Sequence, residues 1–201
     1  MFTLPCILFA GGKSSRMGSD KSLLPFGEYT SLAAFQYNRL TKLFTNVYIS
    51  TKTREKFDFE AQFILDAENT DFAPTVGFVS AFEKLGCERF FALSVDTPFV
   101  DVDTIEMLLH ADESHLDAVI AKTPSGTHPL CGIYHHTLLK NFQQMQREGD
   151  HRLGKLLSMK QTRFVEFENE EIFMNLNHPH EYKEALMRYR SLENSISIKE
   201  V

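Results

Sequence analysis

The chain has 201 residues, 43% hydrophobic and 24% charged, and its 21 basic against 27 acidic residues leave a net charge of −6. That length and balance suit one α/β domain able to bury its own core, and they exclude a disordered chain and a general nucleic-acid binder, which needs a basic face. Three cysteines, Cys6, Cys87 and Cys131, follow no C-x-x-C spacing and are odd in number, so the expectation is free thiols in a reducing cytoplasm rather than a disulfide framework.

In chain order, residues 4–10 form an apolar run that predicts a buried strand. The run lacks a basic leader and is too short to span a bilayer, so neither signal peptide nor membrane anchor is expected. It ends in Gly11-Gly12, and paired glycines after a buried strand let backbone N–H groups approach an anion. Lys13, Arg16 and Lys21 add positive charge to that turn, which reads as a phosphate loop for a nucleoside triphosphate. A Walker A motif fails, because Ile7 stands where its first glycine is required. A G-x-G-x-x-G fingerprint fails too, since the glycines fall at 11, 12 and 18. A glycine-rich turn with solvated cations is the competing reading.

Thr30 or Ser31 is placed to cap a helix in which Ala33, Tyr37, Leu40 and Phe44 recur at helical spacing, and a strand is predicted over 47–51. This β-α-β unit puts the loop at the carboxyl end of its first strand, where ligands bind in open parallel sheets. A short strand over 63–65 ends at Asp66, and a polar stretch containing Asp71 leads to a helical pattern over 76–85. Taken alone, both aspartates read as capping and loop solvation. Residues 89–95 are the most strand-like run and stop at Asp96-Thr97-Pro98-Phe99. A carboxylate there is placed to hold a divalent metal, although Asp-x-Pro also makes a common turn.

A helix is predicted over 102–111, a strand over 118–121, a polar loop over 124–129 and a strand over 130–134. His128, a lone histidine in that loop, reads by itself as exposed. Leu138, Phe142 and Met145 form a helical stripe that should face a core. Asp150 is placed to cap a short helix over 151–159, whose Arg152 and Lys155 are read as a solvated face or as receivers of an anionic acceptor. A strand follows over 162–167. Asn175 and Asn177 alternate and point the same way if extended. Pro179 opens a last helix to about residue 189, with residues 1–190 forming one domain and 191–201 a flexible tail. The pairs His135-His136 and His178-x-His180 lack the partners of a zinc site, so structural zinc is not expected.

Four stretches together carry a resemblance. Residues 9–21, F-A-G-G-K-S-S-R-M-G-S-D-K, resemble the signature L-x-G-G-x-S-x-R-M-G-x-D-K of the molybdenum cofactor guanylyltransferases, with Phe9 for the usual leucine. Residues 73–77 resemble the family's G-P-L-x-G with Ala73 for the first glycine. Asp96 falls on the aspartate of C-D-x-P-F, and residues 175–179 are similar to N-x-N-x-P.

The resemblance implies a single-domain, Rossmann-like three-layer α/β/α sandwich with a mostly parallel sheet, of the nucleotide-diphospho-sugar transferase type. It implies transfer of GMP from GTP to the terminal phosphate of the molybdenum-pterin cofactor, with pyrophosphate released and Mg2+ as cofactor. Phe9, Ala10, Gly11, Gly12, Lys21, Asp66 and Asp96 would bind the nucleotide, Asp96 the magnesium, and Asn175 and Asn177 the acceptor, whose phosphate His128 would also contact. Arg16 and Lys21 would neutralise charge during transfer. Further partners would be proteins that deliver or receive the cofactor, and neither nucleic acid nor membrane. Two alternatives stand beside it: a relative using CTP or a sugar-phosphate acceptor, and a non-catalytic GTP-binding module.

Overall fold

The computed structural model describes residues 1–11, 20–66 and 73–197. Gly12 and Arg16, with Lys13 and Asp71, lie outside the described residues. Strands β1 (Cys6–Phe9), β2 (Val47–Thr51), β3 (Gln62–Leu65), β4 (Arg89–Ser94), β5 (Ala118–Thr123), β6 (Gly126–His135) and β7 (Thr162–Glu166) form one sheet in the order β3-β2-β1-β4-β6-β5-β7. Its pairings are parallel except those of β6 with β4 and β5.

Side chains alternate across a strand, so a sheet covered on both faces needs apolar residues at every position. In β1, Cys6 and Leu8 face helices α1 (Leu32–Thr41), α3 (Val102–His110) and α6 (Pro179–Ser197). Ile7 and Phe9 face α2 (Pro74–Leu85), α4 (Leu139–Glu148) and α5 (Leu153–Ser158). The result is the expected three-layer sandwich. On the second face Phe78 packs against Phe9, Phe90, Tyr134 and Phe142 with ring centroids 4.4–5.7 Å apart. Burying each such ring contributes about 1.5–3 kcal/mol. The chain runs outward from β1 to β2 and β3, then returns to place β4 on the other side of β1, a topological switch point whose carboxyl edge is the usual place for a ligand.

Three local expectations are corrected. The stretch 124–129 is not a loop: the chain turns at Pro124-Ser125 and β6 begins at Gly126, whose φ of 145° suits glycine. Pro129 is tolerated inside the strand because the register jumps from Ile120 opposite Gly132 to Ala121 opposite His128, so it sits in a bulge where no ladder N–H is needed. Asp150 does not cap α5, since its carboxylate instead binds the Arg152 N–H at 3.2 Å and the guanidinium at 2.7 Å, and Arg152 is the residue before the helix. Arg152 and Lys155 are thereby paired with Asp150 on an exposed face.

The last helix continues to Ser197 instead of ending near Tyr189. Neither glycine nor proline follows Pro179 to stop it, and the Tyr189 hydroxyl bonds the Glu193 carboxylate one turn on at 2.7 Å. Among the described residues no helix is long and apolar enough to cross a membrane.

Candidate active site

β1 and β4 are parallel neighbours, so their carboxyl ends share one edge of the sheet. The Val95 N–H donates to the Phe9 carbonyl at 3.0 Å and the Ala10 N–H to the Ser50 carbonyl at 3.0 Å, which carries the pairing past the strand ends. Asp96 is thus held beside Ala10 and Gly11. Gln36, fully buried on α1, braces the turn beyond it by donating to the carbonyls of Val95 and Thr97. Phe9 buries its ring against Phe78.

Asp20 opens a short helical turn, Lys21–Leu23, by accepting the Ser22 N–H at 3.0 Å. That turn aims Lys21 across the edge. Its ammonium donates to Asp96 Oδ2 at 2.5 Å and to Asn177 Oδ1 at 2.9 Å. The Lys21 and Asp96 side chains are 17% and 14% exposed, so the pair is largely shielded yet open on one side. Three residues separated by 75 and 156 positions therefore meet at one nitrogen.

The segment carrying the two asparagines is fixed at both ends. The Leu176 N–H donates to the Asp96 carbonyl at 3.0 Å, and the Glu181 carboxylate accepts the N–H groups of Asn177 and His178 at 2.6 and 2.7 Å, closing the start of α6. The Asn175 amide donates to the Phe173 carbonyl at 3.2 Å and lines the cleft.

Two hollows adjoin this junction. A cavity of about 360 Å³ is bordered by Ser94, Asp96, His128, His151 and Asn175. His128 is half-buried rather than exposed: its ring stacks on Phe173 at 4.4 Å, and Nε2 lies 3.0 Å from Thr123 Oγ1. Burial pushes its pKa down, against the opposing charge of Glu170. His151 Nδ1 lies 2.6 Å from Thr75 Oγ1, tying the approach to α5 to the first turn of α2.

The second, smaller recess lies on the other side of β1 and includes Gly11, Ser50, Lys52, Asp66 and Gly77. Burial pushes the Asp66 carboxyl above its ordinary range, partly offset by the Ser50 hydroxyl and by the charges of Lys52 and Lys84. A carboxylate short of solvent in a recess is poised to accept hydrogen bonds from a ligand's N–H edge.

The structure thus brings Phe9, Ala10, Gly11, Lys21, Asp96, Asn175 and Asn177 to one edge, with Asp66 at its far side. Sequence reasoning missed Ser50, Lys52, His151 and Lys56. Ser50 and Lys52 lie at the end of a predicted strand adjoining the loop, where the strand-end rule would have found them. No local pattern marks the other two.

Among the described residues no group of three or more His, Cys, Asp or Glu stands close enough to hold an ion by itself. Magnesium does not require one, because it binds through one or two carboxylates and completes its shell with water and phosphate oxygens. Asp96 fits that use: its carboxylate opens on the larger cavity, and a cationic ammonium already rests on one of its oxygens.

The family described as the MobA-like NTP transferase domain matches residues 6–188. The molybdenum cofactor guanylyltransferase of Campylobacter jejuni subsp. doylei is 40% identical over 181 residues, covering 90% of this chain and 94% of that protein. The protein of the same name from Helicobacter pylori strain G27 is 34% identical over 188 residues, covering 91% and 92%. The crystal structure of molybdopterin-guanine dinucleotide biosynthesis protein A from Archaeoglobus fulgidus superposes with a TM-score of 0.80 at 17% identity, over 94% of this chain and 100% of that one, a likeness of fold.

Proposed function

Because the chain belongs to the MobA-like NTP transferase family, we propose that it is the nucleotidyltransferase that moves GMP from GTP to the terminal phosphate of the molybdenum-pterin cofactor. The observation that carries this reading is the meeting of Lys21, Asp96 and Asn177 at one nitrogen beside the end of β1. The names of the C. jejuni and H. pylori relatives favour guanine and the pterin acceptor over the alternatives.

In this mechanism an acceptor phosphate oxygen attacks the α-phosphorus of GTP. A new oxygen–phosphorus bond forms, the bridge between α- and β-phosphates breaks, and pyrophosphate leaves. The nucleophile is already ionised, so no general base is needed. The protein's work is positioning and charge neutralisation. Lys21 exchanges its carboxylate partner for phosphate oxygens, with Arg16 as a second cation. Asp96 would be the residue to hold magnesium, which would supply positive charge to neutralise the polyphosphate. Asp66 and the backbone at Phe9–Gly11 receive the guanine nucleotide. Asn175 and Asn177 receive the acceptor, and because Asn177 shares Lys21 with Asp96, acceptor and phosphate sides are set by the same contact. The free thiols Cys6, Cys87 and Cys131 suit a cytoplasmic setting, where delivery and acceptor proteins would meet the enzyme.

The test is pyrophosphate release with the pterin acceptor and magnesium, with GTP, CTP, ATP and UTP in parallel. Release with GTP above the others is expected. Preference for CTP would reassign the chain to a cytidylyl relative, and GTP binding without release would make it a nucleotide sensor.

A further inference from the structure

The turn between β2 and β3 carries a lysine aimed at the glycine-rich stretch from outside. Lys56 Nζ lies 3.1 Å from the Ala10 carbonyl, 2.7 Å from Asp20 Oδ2 and 3.3 Å from Ser22 Oγ. Ala10 precedes residues 11–19 and Asp20 follows them. One ammonium therefore joins both flanks of the phosphate-loop sequence, from a position 36 residues beyond Asp20.

The contact is built rather than incidental. The Phe57 N–H donates to the Arg54 carbonyl at 3.0 Å, closing the turn, and the Phe57 ring lies 4.9 Å from the Lys56 ammonium. Phe57 in turn stacks on Phe63 of β3 at 5.5 Å, which anchors the turn to the sheet. The Lys56 side chain is only 20% exposed. On the other side, Asp20 Oδ1 is taken up by the backbone and hydroxyl of Ser22. Burial pushes the Asp20 carboxyl up, but the hydrogen bonds and charge of Lys56 and the bonds from Ser22 outweigh it and hold the group below its ordinary range.

An ammonium has three N–H donors, and here three oxygens take them. Lys56 is therefore committed to Ala10, Asp20 and Ser22, whereas Lys21 donates to Asp96 and Asn177. Resting on the nucleotidyltransferase reading of this site, we propose that Lys56 is a positioning residue that sets the mouth of the phosphate loop before GTP arrives. With Ala10 and Asp20 already held together, less of the site's geometry has to be set when the nucleotide binds. The benefit appears in nucleotide affinity more than in the chemical step.

The experiment compares wild type, Lys56→Met and Lys56→Arg. It measures GTP-induced thermal stabilisation with magnesium and no acceptor, then KM and kcat for pyrophosphate release. Lys56→Met is expected to weaken GTP binding and raise KM by about tenfold or more, the scale of hydrogen bonds to a charged group, with a smaller change in kcat. Lys56→Arg, which donates to both a carbonyl and a carboxylate, restores most of the affinity. If Lys56→Met does not fold, Lys56→Gln, which keeps an amide donor, carries the same comparison. GTP affinity equal to wild type in the folded variant overturns the proposal, as does a fall confined to kcat. A wild type stabilised by no nucleoside triphosphate overturns the nucleotidyltransferase reading, and this proposal with it, before any variant is made.

Discussion

The Leu176 N–H donates to the main-chain carbonyl of Asp96 at 3.0 Å, which couples the segment bearing Asn175 and Asn177 to the turn just past the end of β4. A shift of one moves the other, so the proposed metal carboxylate and the proposed acceptor amides act as one rigid edge. The variants below separate what that edge does from what holds it.

Asp96→Asn keeps the size of the side chain and its contact with Ser94 while removing the charge. Pyrophosphate release should fall by at least about 100-fold, the scale of losing an electrostatic partner of the reacting phosphates. Turnover at the wild-type rate would remove Asp96 from the mechanism.

Lys21→Met leaves a largely shielded Asp96 carboxylate without its ammonium, and both folding stability and turnover should decrease. Adding Asp96→Asn to it should recover stability, because the unpaired charge is gone, while turnover stays low. Thermal melts and steady-state rates on the two singles and the double measure this cycle.

Asp66 is a group whose folded pKa is raised by burial, so its charged form costs the native state stability as pH rises through that pKa. Asp66→Asn should therefore melt above wild type at neutral pH, and the gap should close as pH falls toward the ordinary carboxylate range near about 4. If Asp66 receives the nucleotide, the same variant binds GTP more weakly despite its higher stability.

Gly77 brings α2 against the recess: a Cβ there would lie 2.5 Å from Ser50 Oγ and 2.8 Å from the Phe9 ring. Gly77→Ala should cost about 1–3 kcal/mol of stability. A drop of several degrees in melting temperature with weaker GTP binding is expected, and an alanine accommodated without either would show that the recess can widen.

Asp112 offers a control far from the edge. Its side chain is 1% exposed and bonds Arg89, at the amino end of β4, and His135 Nε2 at 2.8 Å. Asp112→Ala should lower stability by about 1–3 kcal/mol, since two donors lose a buried acceptor. KM for GTP should stay at the wild-type value, because Asp96 lies past the opposite end of the same strand.

Much of the local structure was written in short-range patterns. Alternating and continuous apolar runs located β1, β2 and β4, helical spacing located α1 to α4, and Ser31 and Pro179 marked helix starts. Two of the exceptions show what overrode the pattern. Pro129 argued for a loop, yet a bulge created by pairing with β5 gave it a place in β6. Asp150 argued for a cap, yet Arg152 captured its carboxylate. For Pro129 a neighbouring strand outweighed an intrinsic preference, and for Asp150 a guanidinium two residues on did so.

The amino-acid sequence alone determined that Gly11-Gly12 follow a buried strand, that a carboxylate stands just past another, and that their motifs resemble one family, because strand period and motif spacing are properties of neighbouring residues. Only the tertiary structure decided that Lys21, Asp96 and Asn177 share one contact and that Lys56 joins the flanks of the loop. Those meetings depend on β1 lying between β2 and β4, and on α6 returning its first turn to the same edge. Strand order is set by the packing of two helical layers on the sheet, a sum over distant apolar contacts that no window of sequence contains.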